Sequence, residues 1–214
     1  MSFLIAIVSL HLWERWYLGH ALSVATPFRR AAHRRRARHA LALNPAEFDA
    51  RVDLAREAVE RKKFREAQEL LIPIMPRADG ASEIFRLYGE ALLGVGLAAE
   101  AEGAFADALK GDARQTEARL GLARSLFVQG RFDEALTAIQ AYRVSRPGDA
   151  RGSWAEAAML GATGPRTGRS AQDALTELVR EQRLKPGYVR RRDRTWAIRA
   201  RTALLLGRIP KSPF

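Results

Sequence analysis

The chain repeats itself at an interval of 34 residues. One position of the repeat is alanine in every copy: Ala67, Ala101 and Ala135. The position three residues earlier holds Phe64, Ala98 and Phe132. A period of this length accommodates two amphipathic helices, and such a unit can bury its apolar face only against the next unit. The sequence therefore predicts stacked helix pairs, an architecture that presents an extended surface rather than a closed catalytic pocket.

Three repeats align without a gap, at residues 48–81, 82–115 and 116–149. The third is the most regular. Gly130 is placed to end its first helix, and Pro147 cannot continue its second helix. Alanine at the shared register lets two helices approach closely, while larger apolar residues fill the adjoining space. We therefore expect residues 48–149 to form three antiparallel helix pairs.

The period changes in the next segment. Trp154 opens another apolar helix pattern, but Ala174 lies 39 residues after Ala135, and the extra residues fall in the glycine- and threonine-rich segment 161–168. We expect a fourth, degenerate repeat at residues 150–187 with an enlarged loop between its two helices. Loops of this kind are tolerated on a protein surface, and a functional loop is the alternative.

A final helix is predicted at residues 194–208, followed by a tail at 209–214. Solenoids need a terminal helix with one polar face, because the last repeat would otherwise expose its apolar side. Several arginines on this helix make the expected cap strongly basic.

These features resemble the tetratricopeptide repeat (TPR) family, specifically over residues 48–149 and weakly over 150–208. The resemblance implies an all-α, TPR-type α-solenoid: a right-handed superhelix of antiparallel helix pairs with a concave groove that binds peptides. Three regular repeats, one degenerate repeat and a C-terminal capping helix make up the expected solenoid at 48–208, preceded by an N-terminal apolar helix.

In the TPR family the first helix of each repeat lines the groove through its positions 2, 5, 9 and 12. The corresponding candidate partner-binding residues are Val52, Arg56, Val59, Arg86, Glu90, Leu93, Leu120, Arg124, Phe127 and Trp154. Arginines beside apolar residues suit a peptide that carries both acidic and apolar side chains. Chaperone-binding TPRs hold a terminal carboxylate with a basic clamp, and here Leu87 and Glu117 occupy two of the clamp positions, which disfavours a co-chaperone role.

Residues 1–28 form a largely apolar segment, interrupted by Glu14 and Arg15. As a helix it could reach roughly 39 Å, more than the ~30 Å thickness of the hydrocarbon layer. A charge near the bilayer centre costs about 2.5–3.5 kcal/mol, however. The segment could therefore span a membrane, lie on it or dock on a protein, whereas a cleaved signal peptide fits poorly because the basic residues follow the apolar run. The candidate anchor residues are Phe3, Leu4, Ile5, Ile7, Val8, Leu10, Leu12, Trp13, Trp16 and Tyr17.

The net charge of +12 resides at the two ends of the chain, because residues 48–182 carry 19 basic and 21 acidic side chains. The candidate basic patch consists of Arg29, Arg30, Arg34, Arg35, Arg36 and Arg38, in an expected basic linker at 29–47, and of Arg190, Arg191, Arg192 and Arg194. An arginine cluster directly after an apolar segment is the order of an anchor whose C-terminal side faces the cytoplasm. The layout resembles two groups of bacterial membrane-anchored TPR proteins, the lipopolysaccharide-assembly adaptors and the haem-biosynthesis-associated group.

The sequence favours a protein without catalysis, metal or cofactor. The absence of cysteine excludes disulfides, thiolate-ligated metals and the Cys-ligated module in which the adaptor group ends. The glycines of the second repeat belong to the helical period and form no phosphate loop. The four histidines lack the i, i+4 partner or the acidic neighbour of a metal pair.

We therefore predict a non-catalytic TPR adaptor or scaffold that binds a protein or peptide partner through its groove. The expected location is the cytoplasmic face of a bacterial inner membrane, with the cytoplasm as the alternative. A structural subunit of a larger membrane protein complex is a second interpretation. Nucleic-acid binding through the basic ends is a third, and it is disfavoured because aromatic residues are not interleaved among the C-terminal arginines.

Overall fold

The computed structural model describes residues 31–45, 47–163 and 170–213. Every regular element in these ranges is helical. Residues 31–43 form α1. The following helices are α2 Phe48–Glu60, α3 Phe64–Leu71, α4 Ser82–Val95, α5 Ala98–Gly111, α6 Thr116–Val128, α7 Phe132–Ser145, α8 Ala150–Thr163, α9 Ala171–Leu184, α10 Gly187–Arg192 and α11 Arg194–Leu205. The predicted N-terminal helix and anchor at 1–28, together with Arg29 and Arg30, lie outside the described residues.

Helices α2 to α9 form four consecutive pairs, and each helix packs on the one before it. The first helices of adjacent repeats, α2 and α4, α4 and α6, and α6 and α8, also contact one another, and α11 packs on α9 and α8. The predicted all-α TPR solenoid with a degenerate fourth repeat and a terminal capping helix is therefore confirmed. In the described part of the chain, no helix combines the length and the apolar character that crossing a bilayer requires.

The small residues of the 34-residue period mark the closest approaches between helices. Ala67, Ala101 and Ala135 are completely buried. Phe105, also completely buried, fills the space between α4 and α6. A methyl group added to Gly89 would lie 2.8 Å from its ring, and one added to Gly121 would overlap the ring. These helices can pack at this distance because glycine supplies no side chain where the aromatic ring lies.

Glycines in the left-handed conformation end the first helices of the two central repeats. Gly96 follows α4 with φ of 100°, and Gly130 follows α6 with φ of 79°. This left-handed conformation lets the chain reverse into the second helix of the repeat, and residues with a Cβ rarely adopt it. The N-terminus of α9 is capped by side chains. Ser170 and Asp173 form a reciprocal capping box, which supplies hydrogen-bond acceptors to two backbone N–H groups that have no partner within the helix.

The segment expected to be a basic linker at 29–47 is helical over residues 31–43. Ala37 of α1 is buried against Ala50 and Leu54 of α2. Arg34 Nε lies 3.1 Å from Glu57 Oε1. Part of the N-terminal basic patch is therefore paired with acids of the first repeat, which explains how an arginine-rich segment becomes an ordered helix on the solenoid.

The C-terminal end also differs from the sequence expectation. Arg190, Arg191 and Arg192 lie on α10, a separate short helix, and α11 ends at Leu205 rather than at 208. The two helices meet at Asp193, which is 5% exposed. Its carboxylate accepts hydrogen bonds from Gln182, Lys185 and Arg192, at 3.3, 3.2 and 2.9 Å. The bonds from Gln182, on α9, and from Lys185, directly after it, tie the junction between α10 and α11 to the end of α9.

Candidate functional site: the concave groove

The groove is formed by α2, α4, α6 and α8, the first helices of the four repeats. Because the repeats stack at a constant period, the same helix position of successive repeats lies side by side. An open cleft of about 500 Å³ occupies the part of the groove between α2, α4 and α6. Its lining includes Arg56, Val59, Glu83, Arg86, Glu90 and Glu117. Four of these six, Arg56, Val59, Arg86 and Glu90, are residues that the family pattern predicts for the groove.

Charged side chains in this open half pair with one another across the repeats. Arg56 contacts Asp53 at 3.0 Å and Glu83 at 3.5 Å. Arg86 donates to both carboxylate oxygens of Glu83, at 2.7 and 2.9 Å, and also to Glu90. Glu83 is not among the predicted groove residues, although it stands at groove position 2 of its repeat. The open half therefore presents alternating positive and negative groups rather than a purely basic surface.

Burial and pairing act in opposite directions on these groups. Burial alone would raise the pKa of Glu83, but hydrogen bonds and the charge of Arg86 outweigh it and lower that pKa. For Glu90 burial is the larger effect, and its pKa is raised although Arg86 opposes the shift. Burial would lower the pKa of Arg86, but its two glutamates raise it instead. Of Glu83 and Glu90, Glu90 is therefore the one whose charged form is disfavoured by burial.

Arg124 lies deeper in the groove, on α6. Burial lowers its pKa to about 10, with Glu90 opposing that shift and Arg151 adding to it. The guanidinium still carries its charge at neutral pH. A smaller cleft of about 320 Å³ joins Arg124 to Leu120, Arg151 and Trp196, so the α6 groove residues face the C-terminal helix.

A hydrogen-bonded cluster crosses the groove between α6 and α8. Arg151 donates to Glu117, at 2.8 and 3.0 Å, and to Asp149 at 2.9 Å. Tyr142 donates its hydroxyl hydrogen to Asp149 at 2.7 Å. Arg151 is not among the predicted groove residues. Glu117 and Arg151 are nevertheless opposite charges separated by one repeat length, and that spacing is a sequence signal for such a pair.

The predicted apolar groove residues are mostly covered. Phe127 packs edge-on against Phe132, with ring centroids 5.3 Å apart. Trp154 is 9% exposed, stacks obliquely on Trp196 at 6.0 Å and donates its indole hydrogen to the backbone oxygen of Ser212 at 3.1 Å. Val52 and Leu93 are partly buried against the hydrophobic clusters of their repeats. The structure thus separates an open, charged N-terminal half of the groove from a covered, aromatic C-terminal half.

The described residues contain no group of three or more His, Asp or Glu side chains that could hold a metal ion. His33, for which the sequence offered no acidic neighbour, lies 3.5 Å from Asp53 in the fold. That contact joins α1 to α2, and both residues lie at the surface of this junction.

Comparison with known proteins agrees with this architecture. A tetratricopeptide repeat family model matches residues 92–158. A search of curated protein sequences found no match.

Several solved structures share the fold. YrrB, described as a TPR protein with an unusual peptide-binding site, is 19% identical; the alignment covers 83% of this chain and 86% of YrrB with a TM-score of 0.62. TTC0263, a TPR protein of Thermus thermophilus, is 17% identical, with coverage of 86% and 95% and a TM-score of 0.64. MamA from Desulfovibrio magneticus is 18% identical, with coverage of 73% and 92% and a TM-score of 0.57. The matching family model identifies residues 92–158 as tetratricopeptide repeat sequence, and the solved structures show that the described solenoid has the fold of such repeats.

Proposed function

We propose that this protein is a non-catalytic scaffold that binds a protein or peptide partner in its concave groove. The observation that carries the proposal is the open cleft between α2, α4 and α6, which is about 500 Å³ in volume and lined by charged side chains. A groove of this kind offers many separate contacts along an extended segment. YrrB, a structural neighbour, is described as having a peptide-binding site.

The paired charges favour a partner with polar groups of both signs. Arg86 is held between Glu83 and Glu90, and only 14% of its side chain is exposed. Groups that are already fixed by their neighbours lose little conformational freedom when a partner arrives, so a hydrogen bond to them costs less entropy. Because burial disfavours the charged form of Glu90, a basic or N–H group of the partner at that point would stabilise its carboxylate.

Site-directed photocrosslinking tests this proposal. The chain has no cysteine, so a benzophenone maleimide attached to an Arg56→Cys variant reports on one position of the open groove. The matched control is Val144→Cys, because Val144 is 84% exposed on α7, outside the groove. The purified, labelled variants are irradiated in cell extract, and we expect a discrete adduct from position 56 and none from position 144. Adducts of equal yield from both positions, or none from position 56, would contradict groove binding.

We also propose that residues 1–28 attach the solenoid to a membrane. Support comes from the apolar run and from the arginine cluster that follows it in the sequence. Helix α1 follows in the sequence and packs on the first repeat through Ala37 and the Arg34–Glu57 pair. A membrane attachment before residue 31 would therefore hold the solenoid close to the membrane.

Cell fractionation tests the attachment. A variant lacking residues 2–28 keeps α1 and should move from the membrane fraction to the soluble fraction. Equal distribution of both forms would contradict the attachment. Alkaline carbonate washing then distinguishes an inserted anchor, which resists extraction, from a helix that lies on the membrane or docks on a subunit of a membrane complex, which is released.

A further inference from the structure

The chain turns back after α11 and runs along α8 in the opposite direction. Gly207 makes the reversal with φ of 60°. Ile209 then lies against Gly161, near the end of α8, and Ser212 lies against Trp154, two turns earlier in the helix. The order of contacts shows a segment, residues 207–213, that passes antiparallel to α8.

This segment covers the groove face of the fourth repeat. Trp154, Ala158 and Gly161 hold positions 5, 9 and 12 of α8, the same positions that Leu120, Arg124 and Phe127 hold in α6. Ala158 and Gly161 line a cleft together with the segment. The surface that the TPR pattern assigns to a partner is therefore occupied at this repeat by the chain itself.

The contacts are apolar or made to the backbone. Pro210 and Pro213 are buried, whereas Arg208 and Lys211 are exposed. A Cβ on Gly161 would overlap the Ile209 side chain, so glycine at this position makes room for it. Trp154 recognises a backbone oxygen, which any extended peptide offers. The two prolines restrict the segment before it docks and so reduce the entropy lost on binding.

The segment does not fill the groove. A cleft of about 1190 Å³ remains between residues 207–212 and the aromatic rings of Phe127 and Phe132. Residues 207–213 thus contact α8, whereas the cleft separates them from Phe127 of α6 and Phe132 of α7. A competing chain could enter from that side.

We propose that residues 207–213 are an internal occupant of a peptide site on α8, and that the site accepts a partner segment of the same chemistry. That chemistry is an extended backbone with an aliphatic residue and prolines, whose carbonyl group accepts a hydrogen bond from Trp154. The inference rests on the proposed scaffold function and names the partner class for the covered half of the groove. Partner binding there requires displacement of the internal segment.

The test uses the full chain and a fluorescein-labelled peptide with the sequence of residues 207–213. In a Pro210→Asp/Pro213→Asp variant, two charges replace buried rings, which releases the internal segment. Fluorescence anisotropy should show the peptide binding to this variant at least about tenfold more tightly than to the wild type, because an internal occupancy above about nine-tenths lowers the apparent affinity by that factor. Adding Gly161→Val to the released variant should abolish binding, since the new side chain takes the space of Ile209.

Two controls make the outcome decisive. A peptide with Asp in place of both prolines should not bind the released variant. Adding Trp154→Phe to the released variant keeps an aromatic ring and removes the indole hydrogen that Ser212 accepts, so it should weaken peptide binding severalfold. If the double variant does not fold by circular dichroism, Ile209→Asp takes its place. Ile209 is 46% exposed, so the solenoid should tolerate this change, and peptide affinity should again rise above that of the wild type.

The proposal is overturned if the released variant binds the peptide no more tightly than the wild type, or if the Asp-containing peptide binds equally well. A segment that merely caps the solenoid predicts that result. Crosslinking from position 56 reports on the groove between α2, α4 and α6, which is separate from the site on α8. An adduct from position 56 without peptide binding at α8 would reject the internal-occupant inference and leave the scaffold function supported.

Discussion

Glu117 and Arg151 stand at the same helix position of consecutive repeats and meet across the groove through two hydrogen bonds of 2.8 and 3.0 Å. The guanidinium of Arg151 also donates to Asp149 and to the hydroxyl oxygen of Tyr142. One side chain of α8 therefore binds α6, α7 and the turn before α8. Such a cluster fixes how far one repeat is displaced from the next, and so it shapes the groove as well as stabilising it.

Replacing Arg151 should destabilise the solenoid. In Arg151→Met the carboxylates of Glu117 and Asp149 lose their shared donor, and we expect the free energy of unfolding to fall by about 1–3 kcal/mol. Urea denaturation followed by circular dichroism measures the change. Arg180→Met, on the exposed side of α9, is the matched control and should cost less than about 0.5 kcal/mol. Equal losses in the two variants would show that the cluster contributes no more than an ordinary surface arginine.

The same cluster predicts a pH dependence. Burial would raise the pKa of Asp149, but hydrogen bonds from Arg151 and Tyr142 outweigh it, and the pKa is lowered. A carboxyl group with a lowered pKa stabilises the folded state above its ordinary pKa, and the contribution is lost as the pH falls through the lowered value. The stability advantage of the wild type over Asp149→Asn should therefore be constant above about pH 5 and shrink steadily in stronger acid.

Chemical denaturation at a series of pH values measures this advantage. Asp133→Asn, in the exposed first turn of α7, serves as the control and should show a small difference from the wild type throughout the series. An advantage for Asp149 that grows as the solution is acidified would contradict the sign of the shift.

Close packing at Phe105 leads to a third prediction. A methyl group on Gly121 would overlap the buried ring, so Gly121→Ala should lower the free energy of unfolding by about 1–3 kcal/mol. Gly103→Ala places the same methyl group in open space within α5. It should be neutral or stabilise the protein by up to about 1 kcal/mol through helix propensity. Thermal and urea unfolding of the pair measure both effects.

A double variant provides the check on the mechanism. If overlap with the ring is the cause, Gly121→Ala and Phe105→Leu together should cost less than the sum of their separate costs, because the smaller side chain makes room for the methyl group. Strict additivity would assign the loss to another cause.

The solenoid could be predicted from the sequence because its core obeys a period. Ala101 and Phe105 recur at helical spacing within a repeat, and the interval between repeats is constant over three copies. Even the fourth repeat was recognisable from Trp154, despite its longer loop. The groove positions followed from the same alignment, since side-by-side helices present equivalent residues to one face.

Non-periodic contacts could not be predicted in this way. Residues 207–213 contain no repeating pattern, and their docking depends on Gly161 and Trp154, about fifty residues earlier. The sequence predicts a basic linker at 29–47, whereas the acids that pair with Arg34 and Arg38 in the fold belong to the next two helices; they are Glu57 and Glu66. The local sequence of 207–213 indicates no regular structure, so a distant surface decides where it lies. The Ala, Leu and Arg residues of α1 favour a helix, but the surface on which that helix packs belongs to the next two helices.

A fourth prediction concerns this α1 junction. Ala37 is 8% exposed and packs against Ala50 and Leu54. Ala37→Asp would bury a carboxylate among apolar groups, which costs enough that α1 should separate from α2 rather than accommodate it. Hydrogen exchange measured by mass spectrometry should then show loss of protection in residues 31–43, while α4 to α9 keep theirs, because the repeats stabilise one another without α1. Ala32→Asp places the same side chain on an exposed position of α1 and should leave protection of the helix unchanged. Protection that survives in Ala37→Asp would mean that ion pairs such as Arg34–Glu57 hold the helix by themselves, and the apolar contact would then lose its assigned role.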